Sequence, residues 1–325
     1  MIHHGGNLSA AKATFGEDVP GGWIDLSTGI NPVPYPATAL LPEALNRLPE
    51  AADEEALIAA ARGYYGIASD AGVIAAPGTQ ALIQWLPYVR SIGHVDVVAP
   101  TYGEHAPRWA DAGHTVREIA SLDEADADVV VIVNPNNPDG RIASRDTLIL
   151  MAQRQAARGG LLVVDEAFAD VAPEVSLTDH AMDGLVVLRS FGKFFGLAGL
   201  RLGFAVGDTA LTKALADKLG PWAVSTPALM IGRSALSDTA WQAATRARLI
   251  ADAARLDDML TGAGLILRGG TDLYRLVETE DAGALYHKLG KAGILIRTFP
   301  AHPRWARFGL PATEQHWGRL AAALA

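Results

Sequence analysis

The chain has 325 residues, half of them hydrophobic, and a formal net charge of −9. This length allows a large core in one big domain plus a smaller one, and the acidic balance, with no basic run, disfavours nucleic acid and anionic membranes as partners. The absence of cysteine excludes disulfides and thiolate metal sites, and the apolar runs are too short to span a bilayer. With no basic stretch followed by an apolar segment at the N-terminus, we expect no secretory signal and a cytoplasmic protein.

The first 36 residues are rich in glycine and proline, and Asn31-Pro32 disfavours a helix. We therefore predict an irregular arm over residues 1–36. Apolar residues at three- and four-residue spacing then predict helices over residues 40–48 and 54–65.

Short β-branched runs alternate with amphipathic stretches through the middle of the chain. These runs lie at residues 73–75, 95–98, 129–133, 161–164, 185–188 and 204–206. Continuous apolar strands separated by helices are typical of a mostly parallel sheet that is covered on both faces. The predicted fold class is therefore α/β, with a large domain over residues 37–235.

The last part of the chain predicts a small α+β domain over residues 236–325. Its expected elements are a long helix over residues 239–262, strands at residues 265–267, 273–277 and 294–296, and a final helix from Thr313. We find no internal repeat and no low-complexity linker.

Ligands of open parallel α/β sheets bind beyond the carboxyl ends of the strands, and a glycine turn follows the first run here. In Pro77-Gly78-Thr79-Gln80 this turn opens a helix, so backbone N–H groups of Thr79 and Gln80 are expected to face an anion. The alternative is an ordinary helix cap at Thr79.

Two further strand ends carry groups suited to a flat ring. Tyr102 follows the second run and can stack on such a ring or belong to the core. The turn Asn134-Pro135-Asn136-Asn137-Pro138 follows the third run, and its rigidity would fix an amide side chain as a donor to a phenolate oxygen. A turn alone explains the prolines but not the repeated asparagine.

Asp165 ends the fourth run, where a buried carboxylate needs a cationic partner. A protonated ring nitrogen is one such partner, and a structural salt bridge or a metal-binding carboxylate pair are the alternatives. We find no acidic or histidine cluster at an adjacent strand end, so we expect no metal.

Lys193 follows the fifth run within Ser190-Phe191-Gly192-Lys193, and Arg201 comes shortly after it. A partly desolvated lysine has a lowered pKa and can form a Schiff base with an aldehyde cofactor, for which pyridoxal phosphate fits. Ser190 and Arg201 would then hold the phosphate. The alternative is a surface lysine near a structural arginine.

Arg297 and Arg307 each lie on an otherwise apolar strand near the C-terminus. A single such arginine is explained by a surface charge. Two together indicate recognition of carboxylate or phosphate through bidentate hydrogen bonds, so we expect both to face the substrate.

From about Asn31 onward, this ordered set resembles the fold-type I pyridoxal-phosphate enzymes, most closely the branch of histidinol-phosphate aminotransferases and the threonine-phosphate decarboxylases of cobalamin synthesis. The resemblance implies a seven-stranded sheet, pyridoxal 5′-phosphate as cofactor and a homodimer. The catalytic residues it implies are Lys193, Asp165 and Tyr102. Its implied cofactor-binding residues are Gly78, Thr79, Gln80, Tyr102, Asn137, Asp165, Ser190, Lys193 and Arg201. The substrate-binding residues are His4, Asn31, Arg297 and Arg307.

Within this branch the chain is more similar to the decarboxylases. Its opening His4-Gly5-Gly6-Asn7 resembles their arm, where histidine and glycine backbone meet a substrate phosphate, although a disordered terminus also explains it. Phe168 and Gly192 stand where the aminotransferases usually have tyrosine and serine. The resemblance implies decarboxylation of the phosphorylated amino acid L-threonine O-3-phosphate to (R)-1-aminopropan-2-ol O-phosphate, with transamination as the alternative.

Overall fold

The computed structural model describes residues 5–37, 42–180 and 182–325. Its α-helices are α1 (Leu8–Phe15), α2 (Glu43–Asn46), α3 (Ala51–Tyr65), α4 (Thr79–Trp85), α5 (His105–Asp111), α6 (Arg145–Ala157), α7 (Phe191–Phe194), α8 (Thr209–Leu219), α9 (Thr226–Ser237), α10 (Thr239–Gly262), α11 (Ala282–Lys291) and α12 (Glu314–Leu324). Its strands are β1 (Ile24–Asp25), β2 (Gly72–Ala76), β3 (His94–Val98), β4 (Thr115–Ile119), β5 (Val129–Val133), β6 (Leu161–Asp165), β7 (Leu185–Ser190), β8 (Gly203–Gly207), β9 (Ile266–Thr271), β10 (Tyr274–Glu278), β11 (Ile294–Leu295), β12 (Arg297–Phe299) and β13 (His302–Gly309).

The chain divides into two compact units. The large unit comprises Tyr35–Asn137 and Arg141–Gln242, and the small unit comprises the chain up to Pro34 together with Pro138–Gly140 and Ala243–Ala325. The sequence pattern predicted domain boundaries after residues 36 and 235.

The large unit contains a seven-stranded sheet in the order β2-β8-β7-β6-β5-β3-β4. The neighbouring strands in the part β7-β6-β5-β3-β4 are all parallel to one another, whereas β8 runs antiparallel to both of its neighbours. Reversing direction twice makes β2 parallel to β7, so the carboxyl ends of β2, β3, β5, β6 and β7 lie at one edge of the sheet. The predicted α/β fold with a mostly parallel sheet flanked by helices is confirmed.

The central strands form because their side chains are buried on both faces. Every residue of β5 and β6 is buried, and these are the apolar runs that the sequence marks as strands. The strand β4 was not predicted, because its exposed Thr115, Arg117 and Glu118 interrupt the apolar pattern at the edge of the sheet.

Asp96 is a buried acid on β3 that ties β4 to the sheet. Its carboxylate accepts hydrogen bonds from Nε and Nη2 of Arg117, each at 2.8 Å, and from the backbone N–H groups of Asp126 and Ala127. Burial raises the pKa of Asp96, but these hydrogen bonds lower it more, so its pKa lies below its ordinary value. The ionised carboxylate therefore stabilises the folded state.

We expect Asp96→Asn to lower the free energy of unfolding at pH 7 by about 2–3 kcal/mol, because a charge-assisted network is lost. Because the folded-state pKa lies below the ordinary value, this stability is present above the ordinary carboxyl pKa and is lost from the wild type as the pH falls through the lowered pKa. Urea denaturation at pH 7 and pH 3 should therefore show the difference between the two proteins shrinking at pH 3. The exposed ion pair of Lys213 and Asp217 gives a control, Asp217→Asn, that should change stability by less than about 0.5 kcal/mol.

The small unit contains an antiparallel sheet in the order β12-β13-β10-β9 and a parallel pair formed by β1 and β11. The expectation of an irregular arm over residues 1–36 is wrong in part, since α1 and β1 form within it. Asn7 caps α1 by accepting a hydrogen bond from the N–H of Ala10, and α1 ends before the prolines that suggested an arm without helices.

Two of the remaining helix predictions are confirmed, and a third is described only in part. Those over residues 239–262 and from Thr313 are confirmed by α10 and by α12, whose N-cap is Thr313. The helix expected over residues 40–48 is described only as the short α2, since residues 38–41 lie outside the described chain. Across the described residues, no helix combines the length and apolarity that crossing a membrane requires.

Candidate functional site

One cavity of the large unit lies at the sheet edge where the strands end, and it measures about 720 Å³ with its open mouth included. Its lining includes Gly78, Thr79, Gln80, Tyr102, Asn137, Asp165, Ser190, Lys193 and Arg201, the full set expected to bind the cofactor. Val133, Ala167, Phe168, Gly192, Ala198 and Leu202 complete the lining.

Lys193 reaches the cavity from α7, a four-residue helix that directly follows β7. Phe191 and Phe194 on the same helix are fully buried and fix it to the core. The Lys193 ammonium lies 5.5 Å from the ring centroid of Phe168, another residue of the cavity wall. The lysine is therefore a half-buried group of the cavity wall.

Asp165 is held at the end of β6 by two hydrogen bonds. Its Oδ1 accepts from the backbone N–H of Ala167 at 3.0 Å, and its Oδ2 lies 2.9 Å from Nε2 of His105. Both side chains are almost fully buried. The carboxylate is thus fixed in direction while it also lines the cavity.

His105 is a residue of the site that the sequence analysis missed. His105 is the first residue of α5, whereas the predicted site residues were polar residues that directly follow strands. The only hint in the sequence is that His105 follows Tyr102 by three residues, and in the structure the two rings meet edge to face with centroids 6.0 Å apart. One short segment therefore supplies both a ring of the cavity wall and the partner of Asp165.

Gly78 and Arg201 form a cradle at one end of the cavity. Gly78 has φ +82°, and a Cβ on it would overlap the Arg201 guanidinium. Arg201 itself adopts left-handed backbone with φ 55°, a strained state for a side-chain-bearing residue that is typical of functional sites. Gly78, rather than Thr79, is the N-cap of α4, so the ordinary cap proposed for Thr79 is wrong.

We expect Gly78→Ala to raise the dissociation constant of the cofactor about tenfold or more, because the new methyl displaces Arg201 and the backbone is strained by about 1–3 kcal/mol. The measurement is a fluorescence titration of apoprotein with pyridoxal phosphate. Gly66→Ala is the matched control, since Gly66 also has positive φ but open space around it. An equal loss in both variants would mean that backbone strain alone is responsible.

The repeated asparagines of the turn after β5 have separate roles. Asn134 exchanges two hydrogen bonds with the backbone of Ala143, and Asn136 contacts Thr101 and the carbonyl of Pro100. Both are buried and hold the turn in shape. Asn137 is the one that lines the cavity, where its amide is a suitable donor to a ring oxygen.

Tyr102 has both of the roles considered for it. Its ring packs partly against the core of the large unit and also lines the cavity. Tyr102 therefore belongs both to the hydrophobic core and to the cavity wall.

Arg297 and Arg307 lie in the small unit as direct partners on β12 and β13, so their side chains share one face of the sheet. Arg307 is buried, donates from Nη2 to the carbonyl of Ser27 at 2.9 Å and lies 4.8 Å above the ring of Tyr274. Burial lowers the pKa of Arg307, and the Arg297 charge lowers it further. Two cations on one face favour a bound anion between or beside them.

Asn31, also in the small unit, is buried and fixed through its side-chain oxygen. This oxygen accepts from Nη2 of Arg248 at 2.7 Å and from the N–H of Val33, and Arg248 is paired with Asp252 on α10.

The arm residues Gly5 and Gly6 dock on Ser27. The Gly6 N–H donates to Ser27 Oγ at 2.7 Å, and that hydroxyl donates to Asp25 at 2.6 Å. Ser27 thus contacts both the glycines of the arm and, through its carbonyl, Arg307. His4, the remaining expected substrate residue, lies outside the described residues.

The groups of the cavity fit the expected cofactor. The Gly78–Arg201 cradle with Ser190 offers donors and a positive charge for a phosphate, and Asp165 offers a negative charge for a ring nitrogen. Lys193 and Asn137 supply an amine for the aldehyde and a donor for the ring hydroxyl. In the described part of the chain, no group of three histidine or acidic side chains is arranged to hold a metal.

Residues 23–324 match the family model described as aminotransferase class I and II. The chain is 45% identical to a threonine-phosphate decarboxylase of Pseudomonas aeruginosa over 100% of this chain and 97% of that protein. It is also 45% identical to a threonine-phosphate decarboxylase of a Sinorhizobium species, over 100% and 98%. Its fold is similar to that of a histidinol-phosphate aminotransferase from Sinorhizobium meliloti, solved in complex with pyridoxal-5′-phosphate, with a TM-score of 0.80, 20% identity and coverage of 100% and 94%.

Proposed function

The chain belongs to the class I and II aminotransferase family, and we propose that within it the protein is a pyridoxal-phosphate-dependent lyase that decarboxylates L-threonine O-3-phosphate to (R)-1-aminopropan-2-ol O-phosphate. The observation that carries this proposal is the single cavity that surrounds Lys193 with the complete expected set of cofactor groups. The two full-length relatives at 45% identity support the choice of reaction.

The cofactor, when bound, supplies a positively charged ring that accepts the electrons of the bond broken at the substrate α-carbon. Asp165, oriented by His105 and by the N–H of Ala167, would stabilise a proton on the ring nitrogen. Arg201 and Ser190 would hold the phosphate, and Tyr102 would cover the ring. Lys193 would hold the cofactor through its aldehyde and is placed to return a proton to the substrate α-carbon.

The substrate has two anionic ends, a carboxylate and a phosphate. Arg297 and Arg307, which share one face of the small sheet, would bind these ends together with Asn31 and His4. The way in which these arginines hold the carboxylate would decide whether the Cα–H bond or the bond from Cα to the carboxylate is broken. The proposed reaction therefore requires them to hold the carboxylate so that carbon dioxide is lost.

The finer parts of the proposal are a place in cobalamin biosynthesis, a homodimeric assembly and a cytoplasmic location. The resemblance of the motifs supports the pathway and the dimer, and the charge and composition support the location. Size-exclusion chromatography with light scattering tests the assembly, since a homodimer has twice the 34.2 kDa mass of one chain.

The deciding experiment is a paired assay of purified, cofactor-loaded protein with L-threonine O-3-phosphate, with and without 2-oxoglutarate. We expect carbon dioxide and the amine product in equal amounts, independent of 2-oxoglutarate. The alternative, an aminotransferase acting on histidinol phosphate, is favoured by the fold it shares with such an enzyme. Formation of glutamate from 2-oxoglutarate and histidinol phosphate, with no carbon dioxide release, would establish that alternative.

A further inference from the structure

The residue before α5, Glu104, is an acid whose position the cofactor groups described above do not explain. It occupies the N-cap position of α5, yet its side chain makes no capping hydrogen bond. Its side chain is only 12% exposed, although the charged head of a glutamate is normally solvated. The carboxylate lies 3.6 Å from Nε of Arg108 on the same helix, but Arg108 does not line the cavity.

Glu104 also begins a relay of two hydrogen bonds that ends in the cavity. The Gln80 amide nitrogen donates to Glu104 Oε2 at 3.1 Å, and the Tyr102 hydroxyl donates to the Gln80 amide oxygen at 3.1 Å. Gln80 and Tyr102 line the cavity. The side chain of Gln80 is thereby engaged, so a contact of Gln80 with the cofactor phosphate falls to its backbone N–H.

The chemistry of the three groups sets the direction of the relay. An ionised carboxylate only accepts hydrogen bonds, so the nitrogen of the Gln80 amide must face Glu104. Its oxygen then faces Tyr102, and the tyrosine must donate its one hydroxyl proton to it. The Tyr102 oxygen can consequently only accept a hydrogen bond from a group in the cavity.

We propose that Glu104 is a positioning residue that acts through Gln80 to fix the ring of Tyr102 against the cofactor and to present the tyrosine oxygen as a hydrogen-bond acceptor. Because this inference rests on the proposed cofactor and not on the proposed substrate, cofactor binding tests it even if the reaction assignment is wrong.

The test measures the cofactor affinity of reconstituted apoprotein and the visible circular dichroism of the bound cofactor, which reports how firmly the ring is held. We expect Glu104→Ala to raise the dissociation constant roughly five- to tenfold, the loss expected when a net hydrogen bond worth about 1 kcal/mol or slightly more is removed. We also expect it to reduce the dichroism. Glu104→Gln should restore both values to within about threefold of wild type, because its amide oxygen still accepts from Gln80.

Asp111→Ala is the matched control. Asp111 lies on the same helix and forms an ion pair with Arg108, whose Nε also lies 3.6 Å from Glu104. Asp111 is not part of the relay through Gln80, so this variant changes the charge near Glu104 without breaking the relay. We expect this variant to behave as wild type. If it matches Glu104→Ala, the effect comes from the charges of α5 and the relay is refuted.

A double-mutant cycle provides a second test, which measures the coupling between the two ends of the relay. Tyr102→Phe removes the other end of the relay, so adding Glu104→Ala to it should weaken cofactor binding by less than about twofold more. Independent, additive losses would overturn the proposal, as would wild-type affinity and dichroism in Glu104→Ala.

Discussion

Replacement of Lys193 by alanine is expected to lower the rate of carbon dioxide release about 10⁴-fold or more, because a single group provides both the covalent hold on the cofactor and the proton for the α-carbon. The measurement is the initial rate of acceptor-independent carbon dioxide release by protein loaded with pyridoxal phosphate. The visible absorbance that reports attachment of the cofactor to lysine should disappear in the same variant.

Lys213 offers the control for this substitution. It lies on α8, is 72% exposed and pairs with Asp217 at the surface. Lys213→Ala should retain the wild-type rate and absorbance. If Lys193→Ala kept more than about a tenth of the wild-type rate, a role for Lys193 in the chemical step would be ruled out.

Asp165→Asn is expected to reduce turnover by about three orders of magnitude. Removing one charge of a buried ion pair costs roughly 3–5 kcal/mol, and each 1.4 kcal/mol corresponds to tenfold in rate. The neutral amide no longer stabilises a proton on the ring nitrogen, so the ring accepts electrons less well. Pre-steady-state measurement of carbon dioxide release separates this loss from weaker cofactor binding.

The neighbouring Glu166 is a control with the same burial. Its carboxylate pairs with Arg189 at 2.7 Å and accepts from Ser176. Glu166→Gln should lower the melting temperature and leave the turnover of the folded, loaded enzyme close to wild type. Equal losses of turnover in the two variants would show that any disturbance at the end of β6 impairs the site, and would remove the special role of Asp165.

Much of the fold and of the cofactor cavity was predictable because both depend on local patterns. Runs such as residues 129–133 are buried on both faces and therefore apolar throughout, and a parallel sheet brings the residues after such runs to one edge. The order of motifs alone thus predicted that Asp165 and Lys193 would line one cavity.

The features that escaped prediction depend on contacts between distant residues. Nothing in the local pattern around His105 shows that it meets Asp165, sixty positions further along the chain. In the same way, the sequence assigned a phosphate-binding role to the backbone N–H of Gln80 but gave no indication that its side chain contacts Tyr102 and Glu104. Tertiary contacts of this kind leave no periodicity in the sequence.

The polar strand β4 also has a consequence for aggregation. A sheet edge exposes unpaired backbone groups on which another chain can add, and charged side chains oppose such pairing. On β4 the exposed Arg117 and Glu118 supply these charges, and the buried Asp96 holds Arg117 in place. The polar side chains that prevented the prediction of β4 from hydrophobic periodicity are therefore the ones that oppose pairing of another strand with this edge of the sheet.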